Sequence, residues 1–191
     1  MDWKSFWDKH AASDNTLQQV GRTGYDAGQM NRLMQEQAAY VAEKTGLTPQ
    51  SVLLDVCCGN GVFTNLLTPF CKETVGLDLS PELIRHAISG KKLNQDFFVA
   101  DLLLLKEWSS YEQYLHSFDA ITLCFSFQYF ETVEKGFVVI ENLLPLLKSG
   151  RKILLTDIPD RARFFNHYNK MSKIAGLIIQ MAKGKNVMGK F

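Results

Sequence analysis

The chain is poor in cysteine, and the four it has, Cys57, Cys58, Cys71 and Cys124, never fall in the Cys-x-x-Cys spacing of a zinc or redox motif. Four thiols in 191 residues, two of them adjacent, do not make a disulfide scaffold. His10, His86, His116 and His167 are scattered along the chain, so no metal site is expected. Net charge is also lacking. Twenty-one Lys and Arg face 20 Asp and Glu, which leaves +1 and excludes the one-sign field of a dedicated nucleic-acid binder. Long apolar runs are absent too: the uncharged stretch Ala120 to Phe130 is well short of the roughly 20 residues a membrane helix needs. Met1-Asp2-Trp3-Lys4 does not open a signal peptide. These absences predict a soluble, cytoplasmic protein with neither a membrane nor a nucleic acid as partner. Repeats, low-complexity tracts and Gly/Ser linkers are missing, and 46% hydrophobic residues suffice for one core. The charge that is present is uneven, with +8 from Lys148 onward and −7 before it.

Residues 1–48 read as a helix, a polar glycine-bearing loop over Ser13 to Gly28, and a second helix, a helical N-terminal lid. Trp3, Phe6 and Trp7 share one face, and Met30, Leu33, Met34, Gln37, Tyr40 and Val41 follow a helical period. From Ser51 short apolar runs alternate with amphipathic segments. Strands are expected over 52–57, 74–78, 96–101, 118–125 and 151–157. Helices are expected over Val62 to Cys71, over Pro81 to Ile88 with Ser80 as N-cap, and over Val133 to Leu147 with Val133, Phe137, Ile140, Leu144 and Leu147 as its stripe. Apolar strands separated by helices define an α/β class, a doubly wound, mostly parallel sheet covered on both faces, spanning residues 49–191. A tail helix over Arg161 to Lys183 carries the stripe Phe164, Tyr168, Met171, Ala175 and Ile178, which reads as core packing.

The informative stretch is Asp55-Val56-Cys57-Cys58-Gly59-Asn60-Gly61, where a strand runs into a turn of small residues and a helix begins at once. Such a turn admits a ligand close to the backbone and offers free N–H groups to an anion. The second strand ends in Asp78, placed to accept hydrogen bonds from ribose hydroxyls, so the pair specifies an adenosine-type ligand. A dinucleotide fingerprint would need glycine where Thr64 stands, and no Gly-Lys-Ser/Thr tripeptide exists for a P-loop. Each acid alone could be a loop or helix cap; acids at three successive strand ends line one crevice. The cysteines read as small packing residues.

The stretch resembles the first glycine-rich motif of class I S-adenosylmethionine-dependent methyltransferases, acid-x-G-x-G-x-G, with Asp55 as the acid, Cys57 in place of the first glycine, and Gly59 and Gly61 as the others. The resemblance extends from Val52 to Asp157 and is similar in kind to the small-molecule branch. It implies a Rossmann-like fold of strand order 3-2-1-4-5, with S-adenosyl-L-methionine as cofactor and S-adenosyl-L-homocysteine as product. The turn Asp55, Cys57, Gly59, Asn60, Gly61 would then cradle the methionine portion. Asp78 would hold the ribose beside Leu79 at the adenine, Asp101 with Leu102 would meet the adenine amino group, and the fourth strand ending in Cys124 would pass beneath the sulfonium.

Methyl transfer is an in-line displacement that needs positioning and a dry pocket, and a base only where the acceptor must first lose a proton. The Asn/Asp-Pro-Pro-aromatic signature of nucleic-acid amino methylation is absent after the fourth strand. The aromatic run there, with Gln128 and Tyr129 as polar groups, fits an apolar or cationic small-molecule acceptor. Arg22 is a candidate for the cofactor carboxylate, Tyr25 for closing the pocket, and His10 for a base on the lid. No catalytic residue is assigned. Two other readings stay open: a cofactor-binding or regulatory protein without turnover, and a nicotinamide oxidoreductase. The resembled fold continues with two further strands, which the residues after Lys183 are too few to supply. The outer edge of the fifth strand is therefore expected to lack a partner from this chain, open to coverage by the tail helix or a homodimer.

Overall fold

A computed structural model describes residues 2–22 and 26–158; the expectations for Tyr25 and for the tail beyond Ile158 lie outside the described residues. The N-terminal segment forms three helices: α1 (Trp3–Ala11), α2 (Thr16–Gln19) and α3 (Ala27–Thr45). Each starts on a side-chain cap: Asp2 accepts from Ser5 N, Asn15 from Leu17 N and Gln18 N, and Asp26 from Gln29 N. The loop expected over Ser13 to Gly28 thus contains a helical turn, nucleated by Asn15. Of the predicted α3 stripe, Met30, Met34 and Val41 are buried, whereas Leu33 and Tyr40 are half exposed and Gln37 donates to Thr156 and Asp157.

The core follows as β1 (Val52–Val56), α4 (Thr64–Leu67), β2 (Glu73–Asp78), α5 (Pro81–Ser89), β3 (Gln95–Val99), β4 (Phe118–Leu123), α6 (Val133–Leu143) and β5 (Leu147–Leu155). The five strands form one parallel sheet in the order β3-β2-β1-β4-β5, as expected. Both faces are covered. Leu54, Val56, Val75, Leu77, Ile121 and Leu123 pack toward Val139 and Leu143 of α6, while Leu53 and Ala120 meet Met30, Met34, Ala38 and Val41 of α3 and Leu67 of α4. Neighbours such as Leu53 and Leu54 point to opposite faces, which is why these strands read as unbroken apolar runs.

Three expectations are corrected. The helices expected over Val62 to Cys71 and Val133 to Leu147 both stop early, α4 at Leu67 and α6 at Leu143. Each ends in a 3-10 turn holding a proline, Pro69 or Pro145, which has no N–H to donate to the carbonyl four residues back. The fifth strand begins at Leu147 and passes a register irregularity before Lys152 pairs with Ala120. Finally, α6 turns its other face inward: Val133, Phe137 and Leu144 are more than half exposed, and Gly136, Val139, Asn142 and Leu143 are buried. Gly136 decides this, because a Cβ there would lie 2.6 Å from the Phe127 ring. Asn142 locks it by donating to the Leu102 and Leu103 carbonyls.

Candidate cofactor and acceptor site

A parallel sheet places all its carboxyl ends along one edge, and where strand order reverses, between β1 and β4, the connections diverge and leave a crevice. Here that crevice is a cavity of about 470 Å³. Its floor is the turn after β1. Cys57, Gly59 and Gly61 all adopt left-handed backbone, with φ of 57°, 58° and 76°. The glycines are demanded by their surroundings. A Cβ on Gly59 would come 2.8 Å from Val20 Cγ1, and one on Gly61 would press into Phe97 and Ala87.

Cys57 carries a side chain in a conformation that costs an L-residue roughly 1–2 kcal/mol. Cys57→Gly removes that strain against about 0.5–1 kcal/mol of added chain entropy. The expected result is a protein unchanged or up to about 1 kcal/mol more stable in urea titration, with cofactor affinity retained. Loss of S-adenosylhomocysteine binding in that variant would instead make the thiol a required contact. Burial pushes the Cys57 thiol well above its ordinary range and Cys124 up to about 12, so both stay protonated.

The acids are placed differently from one another. Asp55 is buried, its two oxygens accepting from Thr64 Oγ1 at 2.6 Å and Thr122 Oγ1 at 2.9 Å, and burial raises its pKa to about 6. It ties β1 to α4 and β4 beneath the cavity. Asp78 accepts from Gly59 N at 2.8 Å and Ser80 N at 2.9 Å, so it binds the two turns together while still lining the cavity. Its pKa is also raised, chiefly by burial and against those amide hydrogen bonds. Asp101 caps the 3-10 turn after β3 through Leu103 N and lines the cavity with Leu79 and Leu102. Asp101 is therefore both a cap and a wall residue, whereas Ser80, not Asp78, caps α5.

The structure does not bring every candidate to the wall. The Asn60 amide turns away to the Thr16 carbonyl and Gln19 Oε1 of α2, and neither Asn60 nor Gly61 lines the cavity. Gln128 also lies off the wall, donating to the Phe125 carbonyl, and His10 donates to the Phe6 carbonyl within an aromatic stack rather than facing the site. Cys124, Arg22 and Tyr129 do line it. The Arg22 guanidinium stands 3.6 Å from the centre of the Phe125 ring. Burial lowers its pKa from the ordinary arginine value against the nearby Asp157, and burial raises that of Tyr129.

Trp3 and Trp7 are among the wall residues that the sequence reading did not assign to the site. Their rings meet Tyr129 edgewise at 4.8 and 5.3 Å. The shared face of Trp3, Phe6 and Trp7 on the first helix was the available signal. α1 is held in place by Asp8, which accepts from Ser80 Oγ, and by His86 Nε2, which donates to the Ala11 carbonyl at 3.0 Å.

The profile of a methyltransferase-domain family matches residues 25–182, and the chain belongs to that family. Among curated proteins it is 25% identical over 121 residues to an uncharacterized methyltransferase of Schizosaccharomyces pombe, covering 61% of this chain and 40% of that one. A second uncharacterized methyltransferase of the same yeast is 40% identical over 47 residues, 25% of this chain and 18% of that one. The matches therefore span less than half the length of these curated relatives. Among solved structures, the N-methyltransferase NodS of Bradyrhizobium japonicum WM9, in complex with S-adenosyl-L-homocysteine, superposes with a TM-score of 0.63 at 21% identity, covering 81% of this chain and 72% of that one. A DhpI complex with SAM and HEP gives 0.61 at 17%, covering 87% and 69%. The [4+2]-cyclase SpnF gives 0.53 at 24%, covering 63% and 44%.

Proposed function

We propose that this protein transfers a methyl group from S-adenosylmethionine to a small-molecule acceptor. The observation that carries the reading is the convergence of the glycine turn, Asp78 and Asp101 from three successive strand ends on one cavity whose opposite wall is aromatic. The residues fit the cofactor. Leu79 and Leu102 offer apolar surface for an adenine, Asp101 an acceptor for its amino group, Asp78 a carboxylate for ribose hydroxyls, and Arg22 a cation for a carboxylate. When bound, the cofactor supplies an electrophilic methyl on a sulfonium. The chain's own part is to hold the acceptor in line with it and to exclude water, with the N-terminal segment, residues 1–48, as the lid that carries Trp3 and Trp7.

Among the described residues no helix is long and apolar enough to cross a membrane. β5 is, among the described residues, one of the sheet's two edge strands, β3 being the other, and the β5 edge is the surface through which a homodimer would pair. Titration calorimetry with S-adenosylmethionine, S-adenosylhomocysteine and NAD tests the cofactor. The first two are expected to bind and NAD to give no heat. Binding of NAD alone would replace this reading with an oxidoreductase, and cofactor binding with no methyl transfer to any acceptor would replace it with a regulator.

A further inference from the structure

The methyl-transfer reading leaves the acceptor open, and the wall facing the strand ends narrows it. Trp3 and Trp7, one turn apart on α1, meet the Tyr129 ring edgewise, and Phe125 and Phe130 extend the same surface. Aromatic faces carry negative quadrupole charge and attract cations. The lining is also anionic: Asp2, Asp55, Asp78, Asp101 and Glu131 outnumber Lys4, Arg22 and Lys135. Lys4 pairs with Asp8 and Lys135 with Glu131, while Arg22 lies over Phe125. Methyl transfer turns a cationic sulfonium into a neutral thioether. An anionic acceptor would cancel that positive charge inside a cavity that favours it, whereas a neutral acceptor would carry it across to the aromatic wall. Among the described residues the lining holds no histidine. Asp55, Asp78 and Asp101 already accept hydrogen bonds from hydroxyls or backbone amides. The geometry thus favours an acceptor that needs no proton removed.

We infer, on the basis of the methyl-transfer reading, that the acceptor is a flat, neutral ring nitrogen of the pyridine or imidazole kind, held against Trp3, Trp7 and Tyr129 and converted there to a cation. The nitrogen lone pair forms the new N–C bond, the C–S bond breaks with its electron pair kept on sulfur, and no proton moves.

The test uses four bicyclic probes of similar size: isoquinoline, 2-naphthoate, 2-naphthol and 2-naphthalenethiol, each incubated with the full chain and methyl-labelled S-adenosylmethionine. Label is expected on isoquinoline, as N-methylisoquinolinium. Preferential labelling of the carboxylate, the naphthol or the thiol overturns the inference and leaves the methyl-transfer reading standing. A binding arm reads tryptophan fluorescence of protein saturated with S-adenosylhomocysteine. N-methylisoquinolinium is expected to bind about tenfold tighter than isoquinoline, the scale of a partly desolvated cation–π contact. With S-adenosylhomocysteine kept saturating, Trp7→Leu is expected to remove most of that preference and Trp7→Phe to keep part of it. Equal affinity for the charged and neutral probes overturns the inference, even where none of the four is methylated. Failure of S-adenosylhomocysteine itself to bind overturns the methyl-transfer reading beneath it.

Discussion

Asp78→Ala is expected to bind S-adenosylhomocysteine about tenfold to a hundredfold more weakly than the unmodified protein. Charge-assisted hydrogen bonds contribute roughly 1.5–3 kcal/mol, and two ribose hydroxyls would lose one acceptor group. The structure adds a second reason. The same carboxylate accepts from Gly59 N and Ser80 N, so its loss also frees the glycine turn from the turn that starts α5. Asp78→Asn separates the two effects, because an amide oxygen can still accept one of those backbone bonds while the charge is gone. Asp101→Ala should be milder, since one adenine amino group replaces two hydroxyls and only Leu103 N loses its cap. Calorimetry reads all three variants, and an unchanged dissociation constant for Asp78→Ala would take that residue out of the site.

The second large effect is on stability against pH. Asp55 titrates near 6 in the folded protein and near 3.8 in an exposed chain. Between those values the folded state keeps a proton that the unfolded state has given up, so stability falls as pH rises from about 4 to about 6 and then levels off. Two pH units correspond to about 3 kcal/mol. Asp78 is shifted in the same direction, again mainly by burial, and steepens the same slope. Asp55→Asn keeps the size and can exchange hydrogen bonds with Thr64 and Thr122. In urea denaturation it is expected to gain up to about 3 kcal/mol at pH 7.5 and nothing at pH 4. The same stability difference at both pH values would show that Asp55 does not titrate in this window. A cationic cofactor favours the ionised acids, so its affinity should rise with pH over the interval in which the free protein loses stability.

The sheet was legible in the sequence because each strand is an apolar run closed by a turn, and a parallel sheet covered on both faces asks for little else. The Gly59–Gly61 turn was legible because positive φ restricts the residue type, and Asp78 was legible as an acid at a strand end, where it lines the cavity. Helix ends were less so. Pro69 and Pro145 each convert the last turn of a predicted helix to 3-10 geometry, and the amphipathic period runs through them unchanged. The inward face of α6 was hidden because both faces are apolar, and only the contact of Gly136 with Phe127 chooses between them. The direction of the Asn60 side chain was not legible, because its place in the motif says nothing of that side chain, which is taken up by α2. Trp3 and Trp7 share a face in the sequence, but that they face a cavity depends on where α1 docks, and that is set by Asp8, Ser80 and His86, far apart in the chain.

That docking bears on how the protein can be cut. The α1–α2 segment looks like an appendage, yet it supplies Asp8 to Ser80, the Ala11 carbonyl to His86, the Thr16 carbonyl and Gln19 to Asn60, and Val20 to the surface of Gly59. A fragment starting at Ala27 would leave the Asn60 amide and the Ser80 hydroxyl without these partners, at about 1–3 kcal/mol for each one that stays shielded from water. It would also expose the glycine turn to solvent. Deletion of residues 1–26 is therefore expected to lower the folding free energy of everything that follows, so that truncation reports on the whole sheet rather than on access to the cavity alone.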